Sequence, residues 1–248
     1  FKMTKKITIA IDAMGGENSP KKNIEGLNMF LKRNKRNDFF IHLYGNEERI
    51  KKELLLVNAS TDKIKIFHSE GIVSDEESPM KAVKSSKNTS MWNSVSAQVD
   101  GNADISLSAG NTGVLLVISR MILKMMNEVS KPALAGLWPS KKGMTVVLDL
   151  GANIECDEKN LVDFSEMGSA LFKSIFPDQI PKVSLLNIGS EEIKGTEMLK
   201  KAFIKLKTLN NSNFKFNGYI EGNELMDGDS NVVVTDGFTG NIALKTAE

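Results

Sequence analysis

The sequence predicts an α/β fold, a Rossmann-like three-layer α/β/α sandwich, and two observations carry that prediction. Short apolar runs alternate with segments of helical period, the pattern that builds βα units around a parallel sheet. The runs also stop abruptly in small polar residues. Run 7–11 meets Asp12-Ala-Met-Gly15-Gly16, and run 105–107 meets Ser108-Ala-Gly110-Asn111-Thr112-Gly113. Run 146–150 ends in Gly151-Ala-Asn153, and run 183–186 in Asn187-Ile-Gly189. Run 232–234 meets Thr235-Asp236-Gly237-Phe-Thr239-Gly240-Asn241. A buried strand ending this way, with a helix behind it, offers backbone N–H groups to an anion. Five such ends in one parallel sheet would lie along one edge, where open α/β proteins bind ligands.

The elements follow in order. After the first run, Pro20 suits a first helical turn with Ser19 as cap, and Ile24, Leu27 and Leu31 form its apolar face. Residues 39–43 read as a strand ending at Gly45-Asn46, 47–56 as a helix and 64–67 as a strand. Ser78-Pro79 opens another helix. Its Lys81, Lys84 and Lys87 share a face, which reads equally as solvated or as anion-binding. Behind the strand at Ile105, Val114, Leu115, Ile118 and Ile122 have core spacing. Phe164, Met167, Leu171, Phe172 and Ile175 repeat it after Leu161. Thr196 caps a helix through Met198, Leu199, Ala202, Phe203 and Leu206, and 210–213 form a polar loop. One α/β domain over 1–248 is expected. A helix is only starting at Gly240 when the sequence stops, so a domain continuing past Glu248 is also expected, with Met3 as the natural start.

Composition narrows the function. Thirty-two basic residues nearly balance 31 acidic ones, so no global positive field exists for a nucleic-acid partner. Cys156 is the single cysteine, which leaves no disulfide framework and no zinc cluster; a reducing, cytoplasmic setting follows. His42 and His68 fall in strand-like segments and read as structural. No run approaches the roughly 20 apolar residues of a membrane-spanning helix.

The motifs exclude familiar chemistry. P-loop, dinucleotide and nucleophile-elbow signatures are missing, and nothing pairs an imidazole with a nucleophile. What remains is a site of backbone amides, hydroxyls, carboxamides and lysines, suited to phosphate and to an oxyanion, with no cofactor and no metal.

At these residues the chain resembles the bacterial phosphate acyltransferases of phospholipid synthesis, the PlsX family. The matching segments are Ile11-Asp-Ala-Met-Gly-Gly16, 108–113, Leu148-Asp-Leu-Gly-Ala-Asn153, Leu185-Leu-Asn-Ile-Gly189, Glu192-Ile-Lys-Gly195 and 232–248. The likeness runs from Ile9 to Glu248. It implies fatty acyl transfer from acyl carrier protein to inorganic phosphate, giving an acyl phosphate. It implies too a homodimer, a fold similar to phosphotransacetylases and isocitrate or isopropylmalate dehydrogenases, and peripheral membrane association through a segment beyond Glu248. Ser85 and Ser86 depart from the family, whose helix at 81–87 is more basic.

The site expected on this reading uses direct attack by phosphate with no acyl-enzyme. Asn111, Thr112 and Gly113 cradle phosphate with Lys87. Asn153, Thr239 and Asn241 complete the anion site or bind the oxyanion. Asp12 or Asp236 orients phosphate or takes its proton, and a turn-forming or capping role is the equal alternative for each. Lys194 and Lys245 neutralise charge. Gly15, Gly16, Gly110, Asn187, Gly237 and Gly240 belong to the same amide-rich surface. A short-chain phosphotransacetylase using coenzyme A thioesters, or a non-catalytic module binding acyl carrier protein, are the alternative readings.

Overall fold

The computed structural model describes residues 6–36, 38–74, 85–209 and 213–248. The helix start at Ser78-Pro79, with Lys81 and Lys84, lies outside the described residues, as does most of loop 210–213. The chain divides into two compact units, Phe1–Lys124 and Met125–Glu248.

The first unit holds strands β1 (Ile7–Asp12), β2 (Phe39–Gly45), β3 (Ile64–His68) and β4 (Ile105–Ser108). They form a sheet in the order β3-β2-β1-β4 with every pairing parallel. Helices α1 (Lys21–Arg33) and α2 (Glu47–Leu56) cover one face. There Ile24, Leu27, Ile50 and Leu54 pack on Ile41 and Leu43. Strand residues alternate between faces, so Ala10 and Tyr44 turn the other way, toward Ala97 of α3 (Ser90–Val99). Met91 and Val95 of α3 in turn pack on Val114 and Ile118 of α4 (Thr112–Leu123). Ile105 and Leu107 on edge strand β4 remain 47% and 48% exposed.

The second unit has its own sheet, ordered β5-β6-β9-β7-β8. Its strands are β5 (Ala135–Ser140), β6 (Gly143–Leu148), β7 (Lys182–Leu186), β8 (Lys215–Ile220) and β9 (Val232–Val234). Leu161, Phe164 and Phe172 of α5 (Glu158–Ile175) and Ala202 and Leu206 of α6 (Glu197–Thr208) bury one face against Val146, Val183, Leu185 and Val232. The opposite face carries Trp138, Val147, Leu186 and Val233, packed by Leu225 and by α7 (Gly237–Ala247). Each unit is thus an α/β/α arrangement. Among the described residues no helix is long and apolar enough to cross a membrane.

Several expectations change. The five glycine-rich ends belong to two sheets, not one: β1 and β4 in the first, β6, β9 and β7 in the second. Strand β5 runs antiparallel to β6 across a two-residue turn at Lys141-Lys142, so the second sheet is mixed. Ser19 does not cap α1. Pro20 occupies the cap position without a side-chain bond, while the Ser19 hydroxyl donates to the carbonyls of Met14 and Gly16 at 2.5 and 2.8 Å. Helix α7 begins at Gly237 rather than Gly240, because Asp236 accepts from Thr239 N–H and caps it. Leu171 and Ile175 are 38% and 41% exposed, which places them outside the core that Leu161, Phe164 and Phe172 form.

Candidate functional site

In the first sheet β1 and β4 are neighbours, with Asp12 in register with Ser108. The Asp12 carboxylate is buried. It accepts the Ser108 hydroxyl at 2.7 Å and Met14 N–H at 3.2 Å. Gly110 N–H donates in turn to Ser108 Oγ at 3.1 Å. Asn23 holds the β1 turn from behind, donating its amide to the Ala13 and Gly15 carbonyls at 3.0 and 2.9 Å. A Cβ at Gly15 would meet Asp12 Oδ2, Ser108 Oγ and Gly110 N at 2.5–2.9 Å. Gly16, at φ +86°, abuts the Ala109 carbonyl. The two turns therefore lock together around one buried carboxylate.

This lock sets the start of α4. Asn111 is the cap, accepting Val114 N–H on Oδ1 at 3.1 Å. Thr112, exposed, and Gly113 follow as the first helical residues. Amides in that first turn have no partner within the helix and point outward, at the positive end of its dipole. Lys87 is exposed in the turn that leads into α3.

The second sheet repeats the device on a larger scale. Asp149, fully buried, follows β6. Its Oδ1 accepts N–H groups of Leu134, Gly151 and Ala152 at 2.9–3.1 Å. Its Oδ2 accepts the backbone N–H and the side-chain amide of Asn153, both at 2.8 Å. Asn153 Nδ2 also reaches the Pro132 carbonyl at 2.6 Å, and Gly237 N–H donates to the Asn153 carbonyl at 2.8 Å. The Asn241 amide donates to the Leu150 carbonyl at 3.3 Å. The Thr239 hydroxyl donates to Asp236 Oδ2 at 2.9 Å. The Asn153 and Asn241 amides and the Thr239 hydroxyl thus each hold a neighbouring turn, with Thr239 and Asn241 on the exposed side.

Glycine is required where α7 crosses these turns. A Cβ at Gly240 would overlap the Asp149 carbonyl oxygen, and one at Gly237 would overlap that of Asn153. Both obstacles are backbone and cannot rotate away. Gly240→Ala is expected to destabilise the chain by about 2–3 kcal/mol through overpacking. A urea midpoint unchanged from wild type would count against this packing.

At the ends of β7 and β9, Asn187, Asp236 and Thr239 meet at a cavity of about 610 Å³ that Leu186, Leu225 and Ile242 line. Lys194 precedes Gly195 of the cavity lining but pairs with Glu191 at 2.8 Å on the surface, and that hydrogen bond raises its pKa. Lys245 pairs with Glu248 in the last turn of α7, two turns from the helix start. The Cys156 thiol, pushed up by burial, donates to the Asn153 carbonyl. Burial, with Lys65 nearby, pulls the His42 pKa down, and its ring packs on Phe67. Neither offers an activated nucleophile or base.

Asp149, Ser108 and Asn23 are the residues that sequence reasoning passed over. Asp149 carried a signal, since it stands after an apolar strand and before a glycine turn, as Asp12 does. Asn23, on the first turn of an amphipathic helix, carried none.

Fold and site together define an α/β/α protein whose strand-end turns are organised by buried carboxylates. A model of the fatty acid synthesis protein family matches residues 7–248, and the chain belongs to that family. It is 55% identical over 246 residues to the phosphate acyltransferase of Pelagibacter ubique, covering 99% of this chain and 73% of that protein. The phosphate acyltransferase of Maricaulis maris is 40% identical, over 99% of this chain and 70% of its own. The structure of the EutD phosphotransacetylase from Staphylococcus aureus superposes with a TM-score of 0.67 at 16% identity, covering 98% of this chain and 81% of that one. At that identity the likeness establishes the fold.

Proposed function

We propose that the chain transfers a fatty acyl group from acyl carrier protein to inorganic phosphate, releasing an acyl phosphate for phospholipid synthesis. The observation that carries this reading is the match of 99% of this chain to proteins named phosphate acyltransferase, over 73% and 70% of their lengths. The site chemistry agrees with it. Phosphate is a competent nucleophile at neutral pH, so the protein must position it and offset charge, tasks that fixed amides perform. The amides of Thr112 and Gly113 at the start of α4 receive phosphate, with Asn111 fixing the turn. Asp12 acts through Ser108 and Gly110 as a positioning residue, because its carboxylate is only 1% exposed.

Transfer is direct. Cys156 carries a thiol held protonated by burial, and His42 packs against Phe67 rather than a hydroxyl or thiol. Incubation with acyl-acyl-carrier-protein and phosphate, followed by hydroxylamine, should trap an acyl hydroxamate whose yield depends on phosphate. Without phosphate, intact-mass spectra should show no acyl adduct; a stable adduct overturns direct transfer. A homodimer belongs to the same proposal, supported by the apolar surface that Ile105 and Leu107 leave exposed on β4, and light scattering tests it.

A further inference from the structure

The cavity at the ends of β7 and β9 is built unlike the other strand ends. Its volume of about 610 Å³ is that of a small-molecule site. Leu186 and Leu225 form its walls together with Ile242, and among the described residues neither lysine nor arginine lines it. Two helix starts meet here, and each capping side chain already has its amide partner. Thr196 Oγ1 accepts Leu199 N–H at 3.3 Å, and Asp236 accepts Thr239 N–H at 2.8 Å. Asn187 is the exception. It is 7% exposed, and its Nδ2 donates to the Lys194 carbonyl at 3.1 Å. Its Oδ1 is buried with no partner.

A buried acceptor without a donor calls for a ligand N–H or O–H. Phosphate is a poor match, since it would bring negative charge to apolar walls and the Asp236 carboxylate. A neutral chain with an amide N–H and apolar segments matches each feature. We propose that this cavity holds the thioester arm of the acyl donor, a pantetheine-type chain of methylenes and secondary amides. One amide N–H donates to Asn187 Oδ1, and the methylenes lie against Leu186, Leu225 and Ile242. The proposal rests on the acyl-transfer reading and deepens it. Acyl carrier protein and coenzyme A share such an arm, so the cavity serves either source.

Free pantetheine is the probe. Calorimetric titration of the chain should show binding, weakened roughly tenfold in Asn187→Leu by loss of the acceptor. Ile242 is 53% exposed on α7, so Ile242→Trp fills the cavity from its rim without opening the core, and it should abolish binding. Circular dichroism melting establishes that both variants are folded. With acyl-acyl-carrier-protein and acyl-coenzyme A as donors, Ile242→Trp should raise both donor KM values and leave the phosphate KM unchanged; the donor with the lower KM identifies the source. No binding of pantetheine to the wild-type chain, or equal binding to both variants, overturns the proposal. The acyl-transfer reading fails separately. Pantetheine binding that Ile242→Trp abolishes, without any acyl phosphate, supports the cavity and rejects the reaction. Acyl phosphate formation with donor KM untouched by Ile242→Trp does the reverse.

Discussion

Replacing Asp149 with Ala is expected to lower the unfolding free energy by about 3–5 kcal/mol, because several hydrogen bonds to one charged group, each worth about 1.5–3 kcal/mol and not additive, are lost together. Five N–H donors converge on this one carboxylate. Removing it takes the partner from four backbone N–H groups, while the Asn153 side-chain amide keeps the Pro132 carbonyl; an N–H left shielded from water then carries a desolvation penalty as well as a lost attraction. Typical domains have only about 5–15 kcal/mol of stability in total, so the effect should be unmistakable in urea. Asp149→Asn should fall between, because its single oxygen still accepts while its NH₂ faces donors. Asp12→Ala should lose less than Asp149→Ala, since Asp12 accepts two bonds, one of them long at 3.2 Å. Equal midpoints for Asp149→Ala and wild type would remove Asp149 as the organiser of the β6 turn. The functional consequence is local. The same carboxylate positions Gly151, Ala152 and Asn153, and through the Asn153 carbonyl it fixes Gly237 at the start of α7.

The strands with short apolar runs were legible because burial on both faces leaves an unbroken signature. Residues 183–186 and 232–234 read as strands and are strands, and the helix at 47–56 matches α2 residue for residue. Strand β5 was not legible. Its sequence, AGLWPS, includes a proline and a glycine, and its partner is set by the Lys141-Lys142 turn rather than by apolar period. Nor does a pattern of βα units specify whether five strand ends share one sheet or are divided between two. The site was half legible for a related reason. Composition at a strand end reveals that polar groups gather there, whereas the direction each donor points depends on neighbours far along the chain. Asn153 turns to Asp149 and Pro132, and Asn241 to Leu150 across a separation of 91 positions. The same holds for the apolar cavity, whose walls come from Leu186, Leu225 and Ile242 on separate elements; no local motif brings them together.

The largest effect on turnover is expected at Asn111, and the structure shows how to separate chemistry from folding there. Asn111 caps α4 through Oδ1, so Asn111→Ala removes a cap as well as a polar group, at about 1 kcal/mol of stability. Asn111→Asp keeps the cap, because aspartate is an equally good helix N-cap. It sets a carboxylate beside the amides assigned to phosphate. Two unit charges about 4 Å apart repel by roughly 4 kcal/mol at a surface-like effective dielectric. Relaxation and salt reduce this, leaving an expected loss of about 10²–10³ in kcat/KM for phosphate, the range found for removing one preorganised donor. Melting temperature should stay at the wild-type value in Asn111→Asp and fall in Asn111→Ala. The acyl-donor KM should change little in either, because Asn111 is not among the residues that line the donor cavity. Wild-type phosphate kinetics in Asn111→Asp would mean that the β4–α4 turn does not hold phosphate, whatever its shape.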